Sequence, residues 1–143
     1  GAMGMTCLAS DPYAEEFQGA MEGTEEEVLT QSDVISLHVP LTDETRGMID
    51  ARVIASMKPG AVLINAARGG VVDEAAVAAA LKSGHLGGAA LDTFTTEPLG
   101  QDHPFAGVPN LILTPHIGGV TVEANARVSE MTARKVAAHL GLD

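Results

Sequence analysis

The apolar run Ala61-Val62-Leu63-Ile64, set between Pro59-Gly60 and Arg68-Gly69-Gly70, constrains this chain more than any other stretch. Four to eight apolar residues bounded by turn formers read as a buried strand. Asp73 then caps a helical pattern that runs to Ser83 and stops at Gly84. Within that helix Val77, Ala80 and Leu81 fall on one face, which packs on the sheet. An arginine therefore stands where a buried strand ends and a helix is about to begin. In open α/β sheets ligands bind at that edge, and a guanidinium there offers a planar fork for a carboxylate or phosphate.

The same arrangement recurs twice. The apolar run over residues 86–91 is followed by Asp92-Thr93-Phe94-Thr95-Thr96-Glu97-Pro98. The short run over 111–113 is followed by Thr114-Pro115-His116-Ile117-Gly118-Gly119. Three consecutive strands would deliver Arg68, Asp92 with Glu97, and His116 to one edge of one sheet. A cationic clamp, an acid and an imidazole suffice for acid–base chemistry on a substrate that bears a carboxylate. Taken singly, Arg68 reads as a surface ion-pair partner, Asp92 and Glu97 as turn acids, and His116 as a loop histidine. Their order and common position favour a functional reading.

The motifs Asn65-x-x-Arg68-Gly69-x-x-Val72-Asp73-Glu74, Leu91-Asp92-x-Phe94-x-x-Glu97-Pro98 and Pro115-His116-Ile117-Gly118-Gly119 together resemble the NAD-dependent D-2-hydroxyacid dehydrogenase family, which includes D-3-phosphoglycerate dehydrogenase. The resemblance implies an α/β fold of Rossmann type with a mostly parallel, doubly wound sheet. It also implies roles: Arg68 binds the substrate carboxylate, His116 is the general acid/base, and Glu97 orients it. Asp92 faces the nicotinamide carboxamide. Val39 (through its backbone), Ala66, Ala67, Arg68, His116, Gly118 and Gly119 line the cofactor. The cofactor is NAD and the substrate a small 2-hydroxy or 2-keto acid. Formate dehydrogenase is a nearer relative, but it has glutamine where this chain has Glu97, so a 2-hydroxy acid is the better substrate.

Asp11, before Pro12, reads on its own as the opening of a turn. The resemblance makes it the acid that hydrogen-bonds the adenosine ribose hydroxyls and favours NAD over NADP. Residues 5–10 read as the strand before it. The first strand and glycine-rich turn of a complete cofactor domain are absent, as is a substrate domain. Residues 4–143 thus read as a partial NAD-binding domain, and Gly1-Ala2-Met3 as an expression scar. In the usual strand order the missing strand separates residues 5–10 from residues 34–38. Either the strand at 5–10 moves in to pair with 34–38, or another chain covers the edge. On this reading the chain is a homo-oligomer, binds NAD weakly or not at all, and has no turnover alone. The alternatives are a non-catalytic self-associating fragment, or an NAD-binding protein akin to the C-terminal-binding-protein corepressors.

Elsewhere Thr24-Glu25-Glu26-Glu27 forms a capping box, and a short turn of helix over 42–49 breaks at Gly47. Asp50 caps a helix that ends at Lys58-Pro59-Gly60, and Thr121 starts a helix to Leu140. Residues 101–110 form a loop anchored by Phe105. Ala124, Val128, Met131, Val136 and Leu140 trace one face of the last helix. His38 reads as a local hydrogen-bonding group, and His85 as a solvated histidine. A net charge of −11 with no basic cluster argues against nucleic acid and anionic membrane partners. No apolar run approaches the ~20 residues of a membrane span, and no metal-ligand spacing is present. The single cysteine, Cys7, sits in an apolar run and reads as buried. With no secretory pattern, a cytoplasmic location is expected.

Overall fold

The computed structural model describes residues 4–142, so Gly1-Ala2-Met3 lies outside the described residues. The chain runs β1 (Leu8–Ala9), β2 (Met21–Glu22), α1 (Glu25–Gln31), β3 (Val34–Leu37), α2 (Ala51–Ser56), β4 (Val62–Asn65), α3 (Glu74–Ser83), β5 (Gly88–Leu91), β6 (Leu111–Leu113) and α4 (Val122–Leu140). Strands β3, β4, β5 and β6 form one parallel sheet in sequence order. Parallel neighbours need a crossover. Here α2 and α3 supply two of them, and the loop over 92–110 supplies the third. This is a Rossmann-like α/β arrangement.

The strands end level with one another. Leu37 pairs with Asn65, Asn65 with Leu91, and Leu91 with Leu113. Alternate residues Ile35, Leu37, Leu63, Asn65, Ala89 and Leu91 are buried, whereas Val34 and Ser36 are exposed. The buried face meets Ile54 and Met57 below α2 and Val77, Ala80 and Leu81 of α3 in the main core. A smaller cluster at the end of β5 joins Ala78, Leu91, Phe94 and Phe105. There Phe94 and Phe105 meet edge to face at 6.2 Å, and the buried Phe105 anchors its loop as expected.

Helix ends follow their caps. Asp73 accepts from the Ala75 and Ala76 N–H groups at 2.9 and 3.0 Å, and Gly84 closes α3 at φ 78°. The Thr24–Glu27 capping box opens α1, Asp50 caps α2, and Thr121 caps α4. Each such cap contributes about 1 kcal/mol.

Several expectations are corrected. The strand read over 5–10 shortens to Leu8–Ala9, and its partner is β2, which carries no apolar periodicity. The pair is parallel, closed by Met21 N–H to Cys7 O and Gly23 N–H to Ala9 O, both at 2.9 Å. It forms a sheet of its own, so β1 does not move in beside β3. Cys7 lies at that small sheet's margin and is exposed rather than buried. Residues 43–47 make a turn instead of a helix, after which Ile49 bridges to Val72. His85 is half-buried, its Nε2 2.8 Å from the Ile54 carbonyl, because the end of α3 lies against α2. The apolar face of α4 finds no partner among the described residues. None of its side chains is buried, and Val128, Met131, Val136 and Leu140 are each about half exposed or more.

Candidate active site at the strand ends

Asn65 ends β4 and is 1% exposed. A buried amide must satisfy both its donor and its acceptor. Its Nδ2 donates to the Arg68 carbonyl at 3.0 Å, and its Oδ1 accepts the Ala67 N–H at 3.1 Å. The loop therefore folds back on the strand end and leaves Ala66 and Arg68 exposed. Arg68 Nη1 donates to the Ala67 carbonyl at 2.6 Å. Its remaining N–H groups make no hydrogen bond or ion pair among the described residues, so the fork is available to a ligand.

Asp92 follows β5 and is 6% exposed. Its carboxylate accepts from the Thr114 hydroxyl, from Ile117 N–H at 2.9 Å and from Gly118 N–H at 2.7 Å. Burial pushes its carboxyl up. The Thr114 hydroxyl, the two backbone donors and the nearby His116 charge outweigh that push, and the group sits below the ordinary aspartate value. Its donors bracket His116, whose φ is 55°. A left-handed backbone at a side chain larger than glycine costs roughly 1–2 kcal/mol. It persists because the neighbouring positions on both sides are fixed to one buried carboxylate.

Glu97 uses both oxygens. Oε1 accepts the Phe94 N–H at 2.9 Å, and Oε2 lies 2.8 Å from His116 Nδ1. The bond from His116, then that from Phe94, holds the Glu97 carboxyl below the ordinary glutamate value. The side chains are 35% and 48% exposed, so the pair stands at the surface, open to a substrate. Beside it lies a cleft of about 490 Å³ lined by Phe94, Leu99 and Leu113 as well as by the pair. A second hollow of about 330 Å³ runs along α4 between Arg127, Met131 and Arg134, and is only the relief of one exposed helix.

The loops after β4 and β5 touch through backbone. A Cβ added to Gly69 would lie 1.9 Å from the Phe94 carbonyl oxygen. Likewise a Cβ on Gly118 would lie 2.9 Å from Asp92 Oδ2 and 3.8 Å from Ala66 Cβ, so the ends of β4, β5 and β6 meet there. Arg68, Asp92, Glu97, His116, Ala66, Ala67, Gly118 and Gly119 thus share one sheet edge. Val39, half-buried, packs on the main core just past β3. Asp11 stands apart, exposed after β1 in the small sheet, where it accepts the Tyr13 N–H at 2.9 Å. His38 Nε2 lies 2.9 Å from Ser36 Oγ, the local bond expected of it.

Three residues of this edge have no role in the sequence reading: Asn65, Gly69 and Glu74. Asn65 carried a signal, a polar residue closing an apolar strand. Gly69 and Glu74 are positions of the first motif, but it did not reveal their partners, which lie 21 or more residues away. Among the described residues no group of histidine, cysteine and carboxylate side chains is placed to hold a metal. No helix is long and apolar enough to cross a membrane.

The family described as D-isomer specific 2-hydroxyacid dehydrogenase, NAD binding domain, matches residues 1–118. An (S)-sulfolactate dehydrogenase of Chromohalobacter salexigens is 48% identical, over 98% of this chain and 47% of that protein. A D-3-phosphoglycerate dehydrogenase of Mycobacterium leprae is 42% identical, over 94% of this chain and 26% of that protein. The chain therefore spans half or less of the length of these relatives. Among solved structures, an acyclic imino acid reductase (Bsp5) in complex with NADPH and D-Arg superposes with a TM-score of 0.89 at 30% identity, over 98% of this chain and 45% of that one. This chain belongs to the D-isomer specific 2-hydroxyacid dehydrogenases and matches their NAD-binding domain.

Proposed function

We propose that the protein interconverts a D-2-hydroxy acid and a 2-keto acid with NAD(H), with His116, Glu97 and Arg68 as its reacting groups. The observation that carries this reading is the Glu97–His116 bond of 2.8 Å on the strand-end edge it shares with Arg68, whose guanidinium spends only Nη1 on the Ala67 carbonyl. With Nδ1 engaged by Glu97, Nε2 is the nitrogen left to exchange a proton with the substrate oxygen. The Glu97 carboxylate stabilises the imidazolium that donates it. Arg68 holds the substrate carboxylate and draws electron density from the adjacent carbonyl.

The residues fit a dinucleotide. Ala66, Gly118 and Gly119 carry little or no side chain at the strand ends, so a flat ring can approach the backbone beside His116. On this reading Ala67 and Val39 also line the cofactor, and Asp92 fixes the backbone of Ile117 and Gly118 beside it. Asp11 is exposed, so its carboxylate can receive ribose hydroxyls, which favours NAD over NADP. When bound, the cofactor accepts or delivers the hydride at the substrate carbon. The same reading takes the working protein as a cytoplasmic homo-oligomer and this chain alone as inactive.

The test is His116→Asn in the full-length protein, with reduction of a 2-keto acid followed through NADH absorbance. The kcat should fall about 100- to 10,000-fold. Near-full turnover would remove His116 from the role.

A further inference from the structure

The acid/base pair has a support that comes from outside its own loops. Glu74, the first residue of α3, reaches across 21 positions, and its Oε1 accepts the Thr95 N–H at 2.6 Å. Thr95 stands between Phe94, whose N–H Glu97 Oε1 accepts, and Glu97 itself. On the other side Gly69 lies directly against the Phe94 carbonyl. The turn over 94–97 is therefore closed by its own Glu97 and met from outside at two successive residues, by Gly69 at Phe94 and by Glu74 at Thr95. Thr95 is exposed, so water would serve its N–H equally well and burial does not require the bond. Nor does α3 need Glu74 to start, since Asp73 already caps it.

We propose that Glu74 is a positioning residue for the acid/base pair: it clips the start of α3 to the 94–97 turn and so keeps Glu97 Oε2 on His116 Nδ1. This rests on the reading of Glu97 and His116 as that pair. Without the clip the turn loses its bond to α3 at Thr95, and a misplacement of about 1 Å is enough to lose rate. The clip works through an acceptor oxygen at a particular reach, so glutamine can replace glutamate, whereas the shorter aspartate cannot.

The test needs no turnover. The charged groups that act on Glu97 are His116 and Asp92, and both are left in place. The Glu97 carboxyl of this chain, assigned with Glu97→Gln, is titrated by ¹³C NMR in wild type, Glu74→Gln, Glu74→Asp and Glu74→Ala, with melting by circular dichroism as the check on folding. Glu74→Gln should titrate as wild type. Glu74→Asp and Glu74→Ala should move Glu97 up toward the ordinary glutamate value near 4.3. Glu74→Asp keeps charge at the helix start, so it stays folded if Glu74→Ala does not. In the full-length protein Glu74→Asp should lower kcat about tenfold with KM nearly unchanged. A folded Glu74→Asp with an unmoved Glu97 titration overturns the clip, whatever His116→Asn does. Full turnover by His116→Asn overturns the pair, whatever the titration shows.

Discussion

Two aspartates close two parallel strands of this molecule, and their surroundings could hardly differ more. Asp92, at the end of β5, is enclosed and takes three donors from a loop 22 to 26 residues away. Asp11, just past β1, is exposed and takes one N–H from two residues along. The first ties separate strand ends into one edge. The second shapes only its own turn, and its remaining lone pairs stay open to a ligand. An aspartate at a strand end is thus either a fastening or a free acceptor, depending on whether distant chain reaches it.

Substitutions can break that contrast. The largest effect is expected from Gly69→Ala, because its Cβ would meet backbone, which cannot rotate away. A loss of about 4 kcal/mol or more in urea unfolding is expected. Gly19→Ala, in the same β1–β2 connection as Asp11, meets nothing within 4 Å at φ 78° and should cost only the roughly 1–2 kcal/mol of a left-handed side chain. Equal losses at the two sites would mean that the β4 and β5 loops are not in backbone contact.

Asp92→Ala comes next, at about 2–3 kcal/mol, since it leaves a hydroxyl and two N–H groups without their charged acceptor. This loss depends on pH in a definite direction. The folded carboxyl lies below its ordinary value, so its stabilisation is fully present above about pH 4 and disappears as pH falls through the folded value. The gap between wild type and Asp92→Ala should narrow on going from about pH 5 to about pH 2. A gap that stays constant would deny the carboxylate this task. Asp11→Ala should be smallest, within about 0.5 kcal/mol by thermal melting. A cost comparable to that of Asp92→Ala would erase the distinction between the two acids.

Legibility in the sequence followed the range of the interaction. Helix α3 could be read from Asp73 to Gly84, and α4 from Thr121 to Leu140, because caps and left-handed glycines act within four residues. The strand-end motifs placed Arg68, Glu97 and His116 on one edge, since apolar runs mark where strands stop. The partners of Asp92 were not legible. Nothing in a one-dimensional pattern says that Thr114 and Gly118 return to it. Strand β2 was missed for a related reason: two exposed residues have no periodicity, and only pairing with β1 makes them a strand. Cys7 and His85 were misread because local hydropathy does not reveal which neighbour, if any, covers a residue. The apolar stripe expected on α4 buries nothing among the described residues, because a pattern does not supply the surface it packs on.

The level ends of β3 to β6 make the edge a ruler whose divisions are the spacing between strands, about 4.8 Å. Its four marks span about 14 Å, and the loops that carry Arg68, Asp92 and His116 all start from that same line. Substitutions inside β4 or β5 leave the marks where they are. A single inserted or deleted residue does not, because the following side chain turns to the opposite face. One residue added within β5 would aim Asp92 away from all three of its donors at once. Changes of length belong instead in connections such as residues 101–110, where added chain does not move the line.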